Sequence, residues 1–213
     1  MCGQSGRQGE FGRDDLPLLP ALRHEVRPDQ RMIVHTPEAC PRGHARRAHG
    51  GFYWAPGLRR HVLYCRRCRD SDASDEWALI DPEYDQHTAE QARGRGLELV
   101  VIAPAVAAAP GRIELRVDGQ PRSAVEVSLC GQDRTGVLGT VHTDEPYRRL
   151  GYGRVLVLAA LARGPGYTWS TMTSKELSST ETAAAFLRSL PLSSGEEPRY
   201  CQHMLDVRLS GGA

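Results

Sequence analysis

Lysine is almost absent from this sequence. Of its 27 basic residues, Lys175 is the one lysine and the rest are arginine, a bias that reflects codon usage and does not by itself indicate phosphate recognition. Long apolar stretches are missing too: no run of about 18 uncharged apolar residues occurs, so we expect no membrane-spanning helix. Residues 1–15 lack an apolar core and carry acids, so we expect no secretory signal.

Cysteine is also scarce, with six in 213 residues. A small secreted scaffold held by disulfides would need more of them, more evenly placed. We therefore expect a reducing compartment, the cytoplasm. The hydrophobic fraction of 40% and the charged fraction of 25% are those of a globular protein, which excludes collagen-like, coiled-coil and wholly disordered chains. The length fits one full-sized domain and a small module.

The net charge of +1 hides two opposite blocks. Residues 39–69 carry eight arginines and no acid, and residues 70–90 carry eight acids and no Arg or Lys. A block of like charge is usually a solvated or interacting face. Either the two blocks pair with each other, or the basic block meets an acidic partner such as nucleic acid.

Two short cysteine-containing pairs stand inside the basic block. Cys40-Pro-Arg-Gly43-His44 and Cys65-Arg-Arg-Cys68 supply three sulfurs and one imidazole, and zinc takes four such ligands in a tetrahedron. Gly43 permits the tight turn that brings His44 back beside Cys40. The sequence therefore predicts Zn²⁺ on Cys40, His44, Cys65 and Cys68. The alternatives are free buried thiols with an incidental CxxC pair, or ligation by His35, His49 or His61.

Residues 52–54 and 61–64 are predicted to be two short strands around Pro56-Gly57. With its two knuckles, C-P-x-G-H and C-x-x-C, the segment resembles small zinc ribbons. The resemblance implies a structural zinc, since four protein ligands leave no position open for substrate. Arginines and aromatic residues on such a ribbon can bind nucleic acid. The other interpretation is a docking or folding module.

The second half of the chain is predicted to begin with an antiparallel meander of strands. Apolar and polar residues alternate along several segments, the pattern of half-buried strands, and Asp118-Gly119 is a strong hairpin turn. The predicted strands are 97–103, 112–117, 123–129 and 135–142.

A glycine-containing turn then leads into an apolar helix predicted at residues 155–162, which ends at Gly164-Pro165-Gly166. A helix N-terminus attracts anions, and glycines let the ligand approach the backbone. Arg148, Arg149 and Arg154 stand at the same end. The sequence therefore predicts a site for a diphosphate or a similar anion; the alternative is an ordinary strand–helix turn.

Arg148-x-x-Gly151-x-Gly153 is similar to the R/Q-x-x-G-x-G/A motif of the GNAT N-acetyltransferase superfamily, and the resemblance covers roughly residues 97–208. It implies an α+β fold with a mixed, mostly antiparallel sheet and flanking helices, including a strand at 167–172, a helix at 182–190 and a last strand at 203–209. It also implies acetyl-CoA as a substrate. The residues expected to bind it are Val141, His142, Arg148, Arg149, Leu150, Gly151, Tyr152, Gly153 and Arg154.

Acetyl transfer to an amine needs a base for the ammonium proton and an acid for the leaving thiolate. Glu126 and His142 are the candidate bases, although each has an ordinary structural interpretation. Tyr200 or Tyr152 is the candidate acid, because Phe186 stands where the family often has a tyrosine. Cys130 is interpreted as a core residue. The family's two helices between its first and second strands have no counterpart between residues 103 and 112.

The sequence thus predicts an acetyl-CoA-dependent N-acetyltransferase whose amine acceptor is a small molecule, a protein or an RNA-linked amine, and whose zinc ribbon docks the acceptor or a partner. The alternative is a non-catalytic GNAT-like scaffold whose Arg-rich ribbon binds nucleic acid or a protein. We expect an N-terminal extension at 1–30, partly disordered. The zinc ribbon follows at 31–72, an acidic linker at 73–96 and the GNAT-like domain at 97–213.

Overall fold

The computed structural model describes residues 16–71, 74–171 and 199–210. Its strands, in chain order, are β1 (Leu18–Leu19), β2 (Arg23–Val26), β3 (Met32–His35), β4 (Gly50–Ala55), β5 (Arg60–Cys65), β6 (Glu76–Leu79), β7 (Gln86–Thr88), β8 (Leu97–Ile102), β9 (Pro110–Val117), β10 (Gln120–Cys130), β11 (Thr135–Thr143) and β12 (Thr168–Thr171). Its helices are α1 (Arg46–His49), α2 (Arg66–Arg69), a 3-10 turn at Glu145–Tyr147, α3 (Tyr152–Ala162) and α4 (Gln202–Ser210).

The larger sheet has six strands in the order β12-β11-β10-β9-β8-β7. Strands β8 to β11 are antiparallel neighbours, whereas β7 with β8 and β11 with β12 are parallel. The β9–β10 hairpin turns at Asp118 and Gly119, whose φ angles of 48° and 77° match the left-handed geometry that Asp-Gly favours. The expected α+β class with a mixed, mostly antiparallel sheet is therefore observed.

A four-stranded sheet in the order β1-β6-β5-β4 contains the predicted hairpin of residues 52–64. Two of its strands lie outside the segment interpreted as a ribbon. Strand β1 comes from the predicted N-terminal extension, and β6 comes from the predicted acidic linker, in which Ala78, Leu79 and Ile80 are fully buried. The segment 73–96 therefore contributes β6 to one sheet and β7 to the other. Its apolar residues alternate along β6 and the residue that follows it: Ala78 and Ile80 join the core shared with the larger sheet, and Trp77 and Leu79 pack with the cysteines.

One hydrophobic core is shared by both sheets. Val62 and Ile80 of the smaller sheet belong to the same buried cluster as Leu99, Leu115 and Leu156. A salt bridge also joins them: Arg60 Nη1 lies 2.6 Å from Asp85 Oδ2, with both side chains mostly buried. The smaller sheet is thus packed against the larger one and is not an independent appendage.

The C-terminal segment differs from its prediction. The GNAT resemblance implied a last strand at residues 203–209, but the structure has α4 there. Asp206 supports the helix, because its carboxylate accepts from Gln202 Nε2 and its carbonyl accepts from Ser210 Oγ. The apolar residues of this segment do not all reach the core, since Leu209 remains 81% exposed. The predicted helix at 182–190, with Phe186, lies outside the described residues.

No helix forms between β8 and β9, as the sequence indicated. Among the described residues, no helix is long and apolar enough to cross a membrane.

Candidate functional site

The first cysteine pair folds as a tight knuckle. The N–H of Gly43 donates to the carbonyl of Cys40, and the N–H of Cys40 donates to the carbonyl of His44. Gly43 takes a φ of 81°, which an L side chain rarely adopts. Gly43 therefore allows the chain to reverse, which places His44 beside Cys40 as the spacing predicted.

The second pair lies where β5 ends and α2 begins. Cys65 is the last residue of β5, and the single turn of α2 returns Cys68 to the same side. Cys40, Cys65 and Cys68 are buried, and His44 is half-buried. The structure therefore brings together all four residues that the sequence singled out as metal ligands, with their ligand atoms within 4.8 Å of one another.

The distances among these atoms suit a tetrahedral zinc site. With Zn–S near 2.3 Å and Zn–N near 2.0–2.1 Å, two sulfurs would lie about 3.8 Å apart and a sulfur and nitrogen about 3.6 Å apart. Cys40 Sγ lies 3.7 Å from Cys68 Sγ, and His44 Nδ1 lies 3.5 Å from Cys65 Sγ and 3.3 Å from Cys68 Sγ. The donor set and its spacing therefore fit a metal ion.

The protonation of these groups depends on their surroundings. Desolvation, followed by the positive charge of Arg67, lowers the pKa of His44, which favours the neutral imidazole that binds metals. Burial raises the pKa of Cys68 to about 12. A cation must therefore displace the Cys68 proton when it binds, so binding to this cluster is expected to weaken at low pH.

The alternative ligands lie elsewhere. His35 Nε2 pairs with Glu25 at 2.8 Å. The His49 ring stands 6.1 Å from that of His44. His61 packs edge-on against Phe52 and Trp54. None of these three histidines joins the four-residue cluster.

The basic block is only partly neutralised by the acidic block. Arg60 pairs with Asp85, and Arg69 pairs with Asp75 at 2.7 Å and with Glu76. Among the described residues, no ion pair forms at the other arginines of the block, which are Arg42, Arg46, Arg47, Arg59, Arg66 and Arg67. Pairing with the acidic block is therefore observed for Arg60 and Arg69, and an acidic partner for the other arginines stays a prediction.

The glycine-containing loop connects β11 to α3 as predicted. Arg149 and Gly151 have φ angles of 64° and 86°, and Gly151 is the N-cap of α3. The N–H of Leu18 donates to the carbonyl of Leu150, and a Cβ on Gly151 would come within 2.7 Å of the Leu18 carbonyl oxygen. Strand β1 therefore fixes the outer side of the loop and requires glycine at residue 151.

Gly153 lies in the first turn of α3 and, unlike Gly151, has room for a Cβ. A Cβ there would meet only Val141 and Thr143 side chains, at 3.6 and 4.0 Å, which is ordinary contact. The helix begins without a side-chain cap or an acid in its first turn, so its N-terminal partial charge is not neutralised locally. Arg148, Arg149 and Arg154 are exposed at the same end.

Strand β11 pairs with β10 and with the described part of β12. Its pairing with β12 runs from Thr135–Thr168 to Leu138–Thr171. Residues 139–143 continue toward the loop, and among the described strands only β10 pairs with them. The β10–β11 register shifts between Val125 and Val127, so Glu126 lies at an irregularity in the sheet.

The candidate catalytic residues occupy one face of the larger sheet. Ala124 pairs with His142, and Glu126 shares their face because side chains alternate along a strand. Val125 and Val141 point to the opposite face, where they pack in the core with α3. Glu126 and His142 are exposed, and His142 Nε2 lies 3.3 Å from Asp144 Oδ1.

The two tyrosines considered as acids differ in position. Tyr152 is 2% exposed within the core, and its ring packs against Tyr147. Tyr200 packs beside Cys130, Val137 and Met204. Its hydroxyl is buried and finds no hydrogen-bond partner among the described residues, whereas such groups are usually bonded.

Sequence reasoning missed one group of residues. Cys130, Asp133, Cys201 and His203 converge at the end of β10, although Cys130 was interpreted as core. The close spacing of Cys201 and His203 was the sequence signal that could have indicated this group.

Comparisons with known proteins add little. No protein-family model matches the chain, and no curated protein resembles it in sequence. Among solved structures, the chain is similar to YhhK from E. coli, a protein assigned as an N-acetyl transferase and solved by NMR with coenzyme A bound. The identity is 23%, the match covers 45% of this chain and 73% of YhhK, and the TM-score is 0.35. That score is too low to carry an argument, so the GNAT resemblance rests on the motif and the order of strands.

Proposed function

We propose that this chain is an acetyl-CoA-dependent N-acetyltransferase with a structural Zn²⁺ on Cys40, His44, Cys65 and Cys68. The observation that carries the activity is the junction of β11 and α3. There an uncapped helix N-terminus, an open Gly153 and three exposed arginines lie beside the C-terminal end of β11. Uncompensated positive charge at a helix start is unfavourable by a few tenths of a kcal/mol unless an anion binds there.

In this proposal the backbone N–H groups at the start of α3 bind the CoA pyrophosphate, and Arg148, Arg149 and Arg154 neutralise it. Residues 139–143 of β11 lie along the pantetheine arm, with Val141 and His142 nearest the thioester. Acetyl-CoA supplies the activated acetyl group. Glu126 or His142 accepts the ammonium proton of the acceptor. Tyr200 packs beside Cys130 and Val137, several residues along the sheet from His142, so we do not assign it the proton transfer to the departing thiolate.

The sharpest test of the proposed CoA site is Gly153→Glu. A Cβ there makes only ordinary contacts, at 3.6 and 4.0 Å, and an acid in the first turn stabilises a bare helix by about 0.3–1 kcal/mol. The same carboxylate would repel the pyrophosphate. We therefore expect calorimetric titration with CoA to show at least a tenfold weaker affinity, while the melting temperature stays the same or rises.

A matched control is Gln132→Glu, which makes the same charge change in the exposed turn at the other end of β11. It should bind CoA as the parent does. Gly151→Glu is unsuitable, because the positive φ and the Leu18 carbonyl would make it destabilising for structural reasons. Equal CoA affinity in Gly153→Glu and Gln132→Glu, or no CoA binding by the parent at millimolar concentration, would contradict the proposal.

A second candidate function is binding of single-stranded nucleic acid by the ribbon. Phe52 and Trp54 are 41% and 52% exposed on β4, and the guanidinium of Arg46 lies 5.2 Å from the centre of the Phe52 ring. Exposed Arg66 and Arg67 stand between the two cysteines of the second knuckle. Proteins bind single-stranded nucleic acid through aromatic rings that stack on the bases and arginines that neutralise the phosphates.

This candidate predicts two separable effects on binding of a short single-stranded oligonucleotide. Arg66→Ala/Arg67→Ala should reduce the slope of log affinity against log salt by about 1.4. Trp54→Ala should weaken binding by about 1–3 kcal/mol with the slope unchanged. The control Arg93→Ala/Arg95→Ala removes the same charge outside the ribbon and should leave both quantities nearly unchanged. Equal losses in the two arginine pairs would refute a ribbon-specific site.

A further inference from the structure

Four side chains that play no part in the proposed reaction converge beside the larger sheet. Cys130 ends β10, Asp133 lies in the β10–β11 turn, and Cys201 and His203 lie at the start of α4. Their ligand atoms all lie within 4.8 Å of one another. We propose that these residues form a second zinc site, which anchors the C-terminal helix to the sheet.

The distances within the group resemble those of a tetrahedral site. Cys130 Sγ lies 3.5 Å from Asp133 Oδ2 and 3.8 Å from His203 Nδ1. Ligands of one zinc ion at about 2.0–2.3 Å stand about 3.4–3.8 Å apart. His203 Nδ1 and Asp133 Oδ2 are closer, at 2.9 Å, a hydrogen-bond distance that must lengthen by about 0.5 Å for both atoms to bind the ion.

A nucleophilic triad is the main chemical alternative, and the geometry disfavours it. In such a triad one imidazole nitrogen faces the nucleophile and the other faces the carboxylate. Here the same atom, His203 Nδ1, faces both Cys130 Sγ and Asp133 Oδ2. Cys130 is also only 3% exposed, so a substrate would have little access to its sulfur. Ligand atoms that all face one point in this way are arranged as in a metal site.

The identity of the ion follows from the ligands. Two sulfurs, one imidazole and one carboxylate are all ligands that Zn²⁺ accepts, whereas Ca²⁺ and Mg²⁺ prefer oxygen alone. Four protein ligands fill a tetrahedron and leave no position for water. The second site is therefore structural.

The helix itself shows what the metal would do. Met204 is the one buried residue of α4, and Leu205 and Leu209 remain exposed. A nine-residue helix with so little apolar contact is marginal in water. Besides the packing of Met204 and Tyr200 on Cys130 and Val137, the attachment includes a hydrogen bond from the Arg199 N–H to Ser170 Oγ. A metal linking α4 to the β10–β11 turn would add to the contacts that α4 makes with the described part of the chain and so stabilise the helix.

The experiment counts zinc in the purified full chain. We expect two zinc ions per chain by elemental analysis, falling to one in His203→Gln and, separately, to one in His44→Gln. His203 is 48% exposed, so its replacement leaves the core intact. Asp133→Asn, also at an exposed side chain, is the second variant and should weaken zinc binding if His203→Gln proves insoluble.

A second measurement identifies the site that remains. With Co²⁺ in place of zinc, the sulfur-to-cobalt charge-transfer absorption scales with the number of thiolates. The site of Cys40, Cys65 and Cys68 has three thiolates and the Cys130 site has two. His203→Gln should therefore lose about two-fifths of the parent's charge-transfer absorption. His44→Gln should lose about three-fifths of it. Amide hydrogen exchange in residues 202–210 should rise in His203→Gln and not in His35→Gln, which lies outside both clusters.

Three results would overturn the proposal. One is a parent with a single zinc that His203→Gln retains. Another is a parent with two zinc ions that keeps both in His203→Gln and in Asp133→Asn. The third is a Cys130–Cys201 disulfide in protein purified without reductant, seen as a mass two hydrogens lower than that of the reduced chain.

Discussion

His44→Gln is expected to lose the ribbon zinc and to unfold far below the melting temperature of the parent. Structural zinc contributes on the order of 10 kcal/mol to the folding of small zinc modules, which is comparable with the whole stability of a typical domain. Val62, Ala78 and Ile80 of the smaller sheet are fully buried in the shared core. We therefore expect differential scanning calorimetry to show a loss that extends to the larger sheet.

The control for this prediction is His35→Gln. His35 lies outside the metal cluster and is 53% exposed in its ion pair with Glu25, so the replacement should cost less than about 1 kcal/mol and should keep the metal. A chelator is a poorer test, because it would also remove zinc from the proposed Cys130 site. Equal metal content and equal melting temperatures in the two variants would show that the cysteines are ordinary buried thiols.

Arg60→Ala is expected to destabilise the protein strongly, although the change lies outside the metal clusters. Its guanidinium bonds Asp85 Oδ2 at 2.6 Å and the carbonyl of Leu97 at 3.1 Å, and thereby joins the two sheets. Without it, the carboxylate of Asp85, whose side chain is 13% exposed, stays buried without its counter-ion. Breaking such a pair costs about 3–5 kcal/mol, measurable as a lower midpoint in urea unfolding.

Two further variants test whether the unpaired charge of Asp85 causes the loss of stability in Arg60→Ala. The double variant Arg60→Met/Asp85→Asn leaves no buried charge and keeps an oxygen for the N–H of Asp81, so it should recover part of the loss. Arg31→Ala breaks an exposed pair with Asp29 and should cost less than about 1 kcal/mol. If Arg60→Ala were as mild as Arg31→Ala, the pair would not couple the two sheets.

The features that the sequence predicted well are local ones. The spacing within Cys40–His44 and Cys65–Cys68 confined each ligand pair to one turn, and the short hairpin between them brought the pairs together. The helix after the glycine loop could be predicted because its start and stop signals lie within a few residues of it. Asp118-Gly119 likewise defined the β9–β10 hairpin, because the turn geometry depends on these two residues alone.

The sequence alone determined the strand alternation, the two knuckles and the loop before α3, because short-range backbone preferences and ligand spacing decide them. The tertiary structure decided where the acidic segment packs, since Glu76–Leu79 form a strand by pairing with β5 and β1. It also decided that residues 203–209 are helical, and it joined Arg60 to Asp85. Cys130 and His203 are 73 positions apart, and they meet because chain topology, which no local pattern encodes, sets α4 against the end of β10.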